Sequence, residues 1–115
     1  MTIRIDAMPG RRIPHAHVTT ALEKALGRLP LHPVGARVTF TDVNGPKKGV
    51  DMECALLVTL PARPSLRVVR RAATPRLAFE LAYDVLVRRL EQAREQHDDA
   101  RRRPKKYYGA KRLLA

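Results

Sequence analysis

Residues 42–60 read DVNGPKKGVDMECALLVTL, and two patterns meet inside that stretch. Asn44-Gly45-Pro46-Lys47-Lys48-Gly49 is a loop by every turn criterion, and it exposes two lysines. From Val50 to Leu60 the side chains alternate. Met52, Cys54, Leu56, Val58 and Leu60 point one way, and Asp51, Glu53, Ala55, Leu57 and Thr59 point the other, as in a long strand with one face on a core. Upstream, Ala36 to Val43 sets Val38 and Phe40 against Arg37, Thr39 and Thr41, a second strand. Downstream, Pro61-Ala62-Arg63-Pro64 makes a tight connection into a strand from about Ser65 to Arg71.

The flanking segments complete the pattern. Ile3 and Ile5 alternate with Thr2, Arg4 and Asp6, which predicts a strand over Thr2–Ala7, broken by Pro9-Gly10 and Pro14. From His15 to Leu29, Val18, Leu22, Leu26 and Leu29 fall at helical spacing, with Lys24 and Arg28 one turn apart on a shared face. Pro30, Pro33 and Gly35 end that helix. Thr74 suits an N-cap and Pro75 the first helical position. Phe79, Ala82, Tyr83, Leu86, Leu90 and Ala93 then form one apolar stripe of a helix that persists to roughly Asp99, fraying before Pro104. The order β-α-β-β-β-α, without internal repeats, predicts an α+β sandwich: two helices on one face of a four-stranded, mostly antiparallel sheet whose other face is polar.

The chain has 115 residues, with 23 Lys+Arg against 11 Asp+Glu, a formal charge of +12. Its hydrophobic fraction of 44% is too high for a fully disordered basic tail, and one domain of ordinary size fits the length. No apolar run reaches the ~20 residues that span a bilayer, and the N-terminus reads as a strand, not a signal peptide. The single cysteine, Cys54, excludes an intrachain disulfide and fits a reducing cytoplasm. Seven of the charges, Arg101, Arg102, Arg103, Lys105, Lys106, Lys111 and Arg112, lie in the last 15 residues without an acid. The first 100 residues are therefore only +5, and the expected organisation is a domain over residues 1–100 with a flexible basic tail over 101–115.

Catalytic patterns are missing. His15, His17, His32 and His97 with Cys54 have no zinc spacing, and surface histidines are the simpler account. Cys54 falls on the apolar side of its strand, where it packs as a small core side chain. Asp51 and Glu53 share the outer sheet face, but Arg37 on the neighbouring strand points to cross-strand ion pairing instead of acid–base chemistry. No Walker loop, G-x-S-x-G or G-x-G-x-x-G occurs. No catalytic residue, cofactor or metal is expected. The charge favours a polyanion bound by shape and phosphate contact. Of the five aromatics, Phe40, Phe79 and Tyr83 belong to the core, which argues against a stacking platform for single strands. Leu77 and Leu81, nearly opposite the apolar stripe, have no place in the core; they are scattered surface residues or a dock for the tail or a partner.

The segment from Asp42 to Asp51, followed by Cys54, is similar to a loop of the ribosome hibernation promoting factor and ribosome-associated inhibitor family, in the branch that reads D-V-N-G-P-K-G-G-V-D-x-x-C. The β-α-β-β-β-α order over residues 2–100 and the helix start from Thr74 through Leu77-Ala78-Phe79-Glu80 also resemble that family. The resemblance implies a double-stranded-RNA-binding-like sandwich that binds the small ribosomal subunit and its ribosomal RNA. It implies a place in the channel for mRNA and for the A- and P-site tRNAs, where occupancy reversibly shuts translation down under stress or in stationary phase. No bond is made or broken.

By the same resemblance Lys24, Arg28, Arg88, Arg89 and Arg94 contact RNA phosphates, and Lys47 and Lys48 add to them. The chain departs from the family at Arg76, where Tyr is frequent, at Arg70 and Arg71, which replace small or acidic residues, and at the second lysine of Pro46-Lys47-Lys48, which replaces glycine. These changes add positive charge, so Arg70, Arg71 and Arg76 join the RNA-binding set together with Arg101, Arg102 and Arg103 of the tail. The dimerisation domain of long family members is not expected after Arg103, and self-association is left open. Neither a membrane nor a small-molecule substrate is implied. Two other classes compete: a general nucleic-acid-binding protein acting through its basic tail, and a regulatory module that meets a protein through Leu77 and Leu81.

Overall fold

The computed structural model describes residues 1–7, 12–29, 31–43 and 51–102, with residues 99–102 entering as helix backbone alone. Six elements follow in the expected order: β1 (Thr2–Ala7), α1 (His15–Gly27), β2 (Gly35–Asp42), β3 (Met52–Thr59), β4 (Leu66–Ala72) and α2 (Pro75–Arg102). The loop of residues 44–50 lies outside the described residues, as do residues 103–115.

The sheet has the order β1-β2-β3-β4. β1 runs parallel to β2, and both other pairs are antiparallel. A parallel pair cannot be closed by a hairpin, and α1 supplies the crossover between β1 and β2. Gly35 makes the parallel pairing possible: a Cβ built there would lie 2.8 Å from the Thr2 carbonyl oxygen. The three-strand run of β2, β3 and β4 follows the alternation of the sequence, with Phe40 opposite Cys54 and Leu56 opposite Val68.

Both helices pack on one face. Val18, Leu22 and Leu26 of α1 and Ala78, Phe79, Ala82, Leu86, Leu90 and Ala93 of α2 meet the inward residues of the sheet, chiefly Val38, Phe40, Met52, Cys54, Leu56, Val58 and Val68, in one core. No polar or charged residue is buried among the described residues. Tyr83 is half-buried at the rim, while Phe40 and Phe79 are fully buried.

The ends of the helices differ in how they are closed. At α2 the Thr74 hydroxyl accepts the Leu77 N–H at 3.1 Å and its carbonyl accepts the Ala78 N–H at 3.0 Å, with Pro75 in the first turn, as the sequence predicts. α1 has no side-chain cap, because Pro14 stands at that position. α1 stops at Gly27, two residues before the apolar spacing predicts, and Leu29 closes its last turn through a 3.3 Å bond to the Leu26 carbonyl.

The outer face of the sheet is polar, as expected, but its ion pairs are not the expected ones. Arg37 donates to Asp6 on β1 at 2.7 Å, and Glu53 accepts from Arg71 on β4 at 3.4 Å. Register decides this. Arg37 stands opposite Leu57, whereas Glu53 stands opposite Thr41, four residues along β2. Arg37 also sits beside Arg4, close to Asp6 on the same strand.

Candidate nucleic-acid interface

α1 and α2 run in the same direction, and a groove follows their line of contact. At its upper end His17 of α1 meets Glu80 of α2 through Nε2 and Oε1. The His17 ring stands edge-on to Phe79 with centroids 5.8 Å apart. One turn further the Tyr83 hydroxyl donates to the Ala21 carbonyl at 3.2 Å. Burial is the main cause that raises the Tyr83 pKa, with Glu80 adding to it and Arg28 opposing. The phenol therefore stays protonated, a donor that ties the two helices together.

Below Tyr83 the groove opens to about 290 Å³. Ala25, Leu29, Val87 and Leu90 form its floor, and Lys24, Arg28 and Arg94 stand on the rim with Glu91. Lys24 on α1 and Arg28 at its C-cap lie on one side, as their spacing predicts. Arg94 arrives from α2 and lies 4.0 Å from Asp98 one turn on, an exposed pair worth only a few tenths of a kcal/mol. Three cations around a shallow apolar floor suit a phosphate backbone lying along the helices, not a buried small substrate.

A second cleft of about 720 Å³ opens where both helices start. Arg76 lines it together with Arg12, His15 and His17. It shares no lining residue with the groove, and the His17–Glu80 contact stands between the two, so Arg76 forms a separate basic spot at the start of the helices.

The remaining sequence candidates do not converge on the groove. Arg88 and Arg89 are adjacent on α2 and diverge by about 100°. Arg89 turns to the sheet and donates to the Arg67 carbonyl on β4, while Arg88 is exposed. Arg70 and Arg71 part in the same way along β4. Arg70 shares the side of Val68, is exposed, and donates to the Val69 carbonyl at 2.8 Å; Arg71 faces outward on Glu53. Lys47, Lys48 and Arg103 lie outside the described residues, and Arg101 and Arg102 belong to the last turn of α2.

Arg12, His17, Tyr83 and Glu91 belong to this surface and were not singled out by sequence for it. His17 and Glu80 are 63 residues apart, and no local pattern announces such a meeting. Leu77 and Leu81 are exposed on α2, 49% and 42% respectively, as their place opposite the stripe predicts. Cys54 is buried and its thiol is pushed up to about 12, so it carries no thiolate at neutral pH. Among the described residues no group of three His, Cys, Asp or Glu side chains is placed to hold a metal. None of their helices is long and apolar enough to cross a membrane.

No protein-family model and no curated protein matches this sequence. Solved structures do match its fold. One is a ribosomal subunit interface protein from Coxiella burnetii, 16% identical, with a TM-score of 0.59, the match covering 81% of this chain and 97% of that one. Another is the N-terminal domain of Protein Y from Thermus thermophilus, 17% identical, with a TM-score of 0.64, covering 82% of this chain and 100% of that one. This chain therefore has the α+β fold of these two proteins, and the two helices that the fold sets side by side are the ones that carry its basic groove.

Proposed function

We propose that this domain is a non-enzymatic ribosome-binding factor of the hibernation promoting and ribosome-associated inhibitor kind, acting in the cytoplasm. It binds the small subunit in the mRNA and tRNA channel and holds translation off under stress or in stationary phase. The observation that carries this reading is the groove between α1 and α2, where Lys24, Arg28 and Arg94 frame an apolar floor. The domain shares its fold with a ribosomal subunit interface protein, and its own Asp42–Cys54 segment resembles the hibernation family.

In mechanism the domain acts by occupancy. Lys24, Arg28 and Arg94 neutralise phosphates along the groove and Arg76 adds a separate contact at the start of the helices. Tyr83 and the His17–Glu80 contact hold the two helices in register so that these cations stay in line. Arg88, Arg89, Arg70 and the lysines Lys47 and Lys48 add weaker contacts around this centre, and Arg101, Arg102 and Arg103 add long-range attraction that salt screens.

The test compares three proteins for co-sedimentation with small subunits and for inhibition of translation in vitro: wild type, a Lys24→Glu/Arg28→Glu/Arg94→Glu variant, and a chain lacking residues 101–115. The groove variant loses both activities. The shortened chain binds less tightly but keeps a ribosome-specific component. Loss of nearly all affinity on shortening would instead make the protein a general nucleic-acid binder working through its tail. Equal binding to bare duplexes and to ribosomes at moderate salt would overturn the proposal.

A further inference from the structure

The sheet face turned away from the helices is not an inert solvated surface. Register aligns Arg4 of β1, Arg37 of β2, Leu57 of β3 and Arg67 of β4 in one row across all four strands. With strands about 4.8 Å apart, that row is about 14 Å long. Within the strands the face carries four arginines, the fourth being Arg71, against two carboxylates, Asp6 and Glu53. Asp6 accepts from Arg4 at 3.2 Å and from Arg37 at 2.7 Å, yet the two arginines remain 69% and 54% exposed. Arg67 is exposed and has no acidic partner among the described residues.

The floor between these arginines is low. Arg37 and Arg67 flank a depression of about 180 Å³ whose base is Thr39, Ala55 and Leu57. The short side chains of Thr39 and Ala55 leave room for a backbone beside Leu57, which is 37% exposed, while the longer guanidinium arms stand on either side. No aromatic residue faces outward from the strands, so this face has no aromatic platform for stacking bases. What it suits is phosphate, for which the guanidinium fork is the matching donor. Arg4 and Arg37 on neighbouring strands and Arg67 two strands on can each meet one phosphate, three contacts in all.

We propose that this open face is a second phosphate-binding surface, so that the domain is held between two RNA segments, one in the helical groove and one across the sheet. This rests on the ribosome-binding reading above and deepens it. The Asp6 carboxylate sets the geometry: it holds Arg4 and Arg37 side by side, and neither is withdrawn from solvent.

The test measures binding to protein-free small-subunit RNA, and to whole small subunits, as a function of salt. An Arg4→Gln/Arg37→Gln/Arg67→Gln variant is compared with the wild type and with the groove variant. Each lost phosphate contact lowers the slope of log affinity against log salt by about 0.7 to 0.9. The triple variant therefore shows a slope smaller by about 2 to 3. Between 50 and 200 mM salt its affinity falls about 20- to 40-fold less than that of the wild type. Arg67→Gln alone, which breaks no ion pair, lowers the slope by just under 1 and guards against a folding defect in the triple variant.

An unchanged slope in both sheet variants overturns the proposal, and the groove reading stands if the groove variant still fails to bind. Loss of affinity for whole subunits with an unchanged slope on protein-free RNA also overturns it, because the face then meets a ribosomal protein. If the groove variant binds subunits like the wild type, the functional reading itself fails.

Discussion

Replacing Gly35 by alanine sets two effects against each other, and the structure decides the sign. Glycine in a strand costs about 0.5 to 1 kcal/mol relative to alanine, so propensity alone predicts that Gly35→Ala stabilises. The new methyl group, however, would lie 2.8 Å from the Thr2 carbonyl oxygen, a backbone atom of the paired strand β1. Restoring ordinary contact moves one of the two strands by several tenths of an ångström. The same movement strains the 3.3 Å bond from the Thr2 N–H to the Val34 carbonyl. Overpacking of this kind costs typically 1 to 3 kcal/mol, and a weakened hydrogen bond adds up to about 1.

The net expectation for Gly35→Ala is a loss of about 1 to 2 kcal/mol, which lowers Tm by roughly 4 to 15 °C in a domain of this size. Urea denaturation measures the loss, and hydrogen exchange locates it, with amide protection falling in β1 and the ends of β2 before the helices. Gly35 does not line the interhelical groove, so ribosome binding persists below the new transition. A variant as stable as the wild type or more so would show that β1 yields freely and that the close approach is not a constraint.

Other expectations follow from single contacts. Thr74→Ala removes the acceptor of the Leu77 N–H and costs about 1 kcal/mol by chemical denaturation, whereas Thr74→Ser restores most of it. Asp6 has a pKa lowered from 3.8, first by its hydrogen bond from Arg37 and further by Arg4. A depressed folded pKa means the carboxylate contributes stability above its unfolded value, and this is lost as pH falls through the folded one. Stability measured against pH should therefore differ between wild type and Arg37→Gln at pH 6 and converge as pH falls below 3.8 and through the folded value; a difference that persists once Asp6 is protonated would place the effect in packing.

Much of the fold was legible because its signals are local. Alternation over Val50–Leu60 placed Met52, Cys54, Leu56 and Val58 in the core, and 3.6-residue spacing did the same for Val18, Leu22 and Leu26 and for the Phe79–Ala93 stripe. Thr74 and Pro75 marked the start of α2 ahead of its first buried side chain, Ala78, three residues after Pro75. The candidate site was legible only in part. Lys24 and Arg28 share a face by helical geometry, but their meeting with Arg94 depends on how two helices pack, and no local pattern encodes that.

Arginine pairs show the same division. Arg88 and Arg89, and Arg70 and Arg71, look equivalent as dipeptides, yet each pair is split between two sides of the molecule by the angular step of its element. Which anion each arginine meets is a further matter of register. The alternation of β2 announced Arg37 as outward-facing, and only the parallel pairing with β1 brought it to Asp6.

By itself, then, the sequence determined the element order, the buried face of every element but β4, and an excess of positive charge, because each depends on near neighbours along the chain. The tertiary structure decided which charges act together. Lys24, Arg28 and Arg94 gather in a groove because two parallel helices lie side by side on one sheet face. Arg4, Arg37 and Arg67 align on the opposite face because strand pairing converts residues far apart in sequence into neighbours about 5 to 10 Å apart.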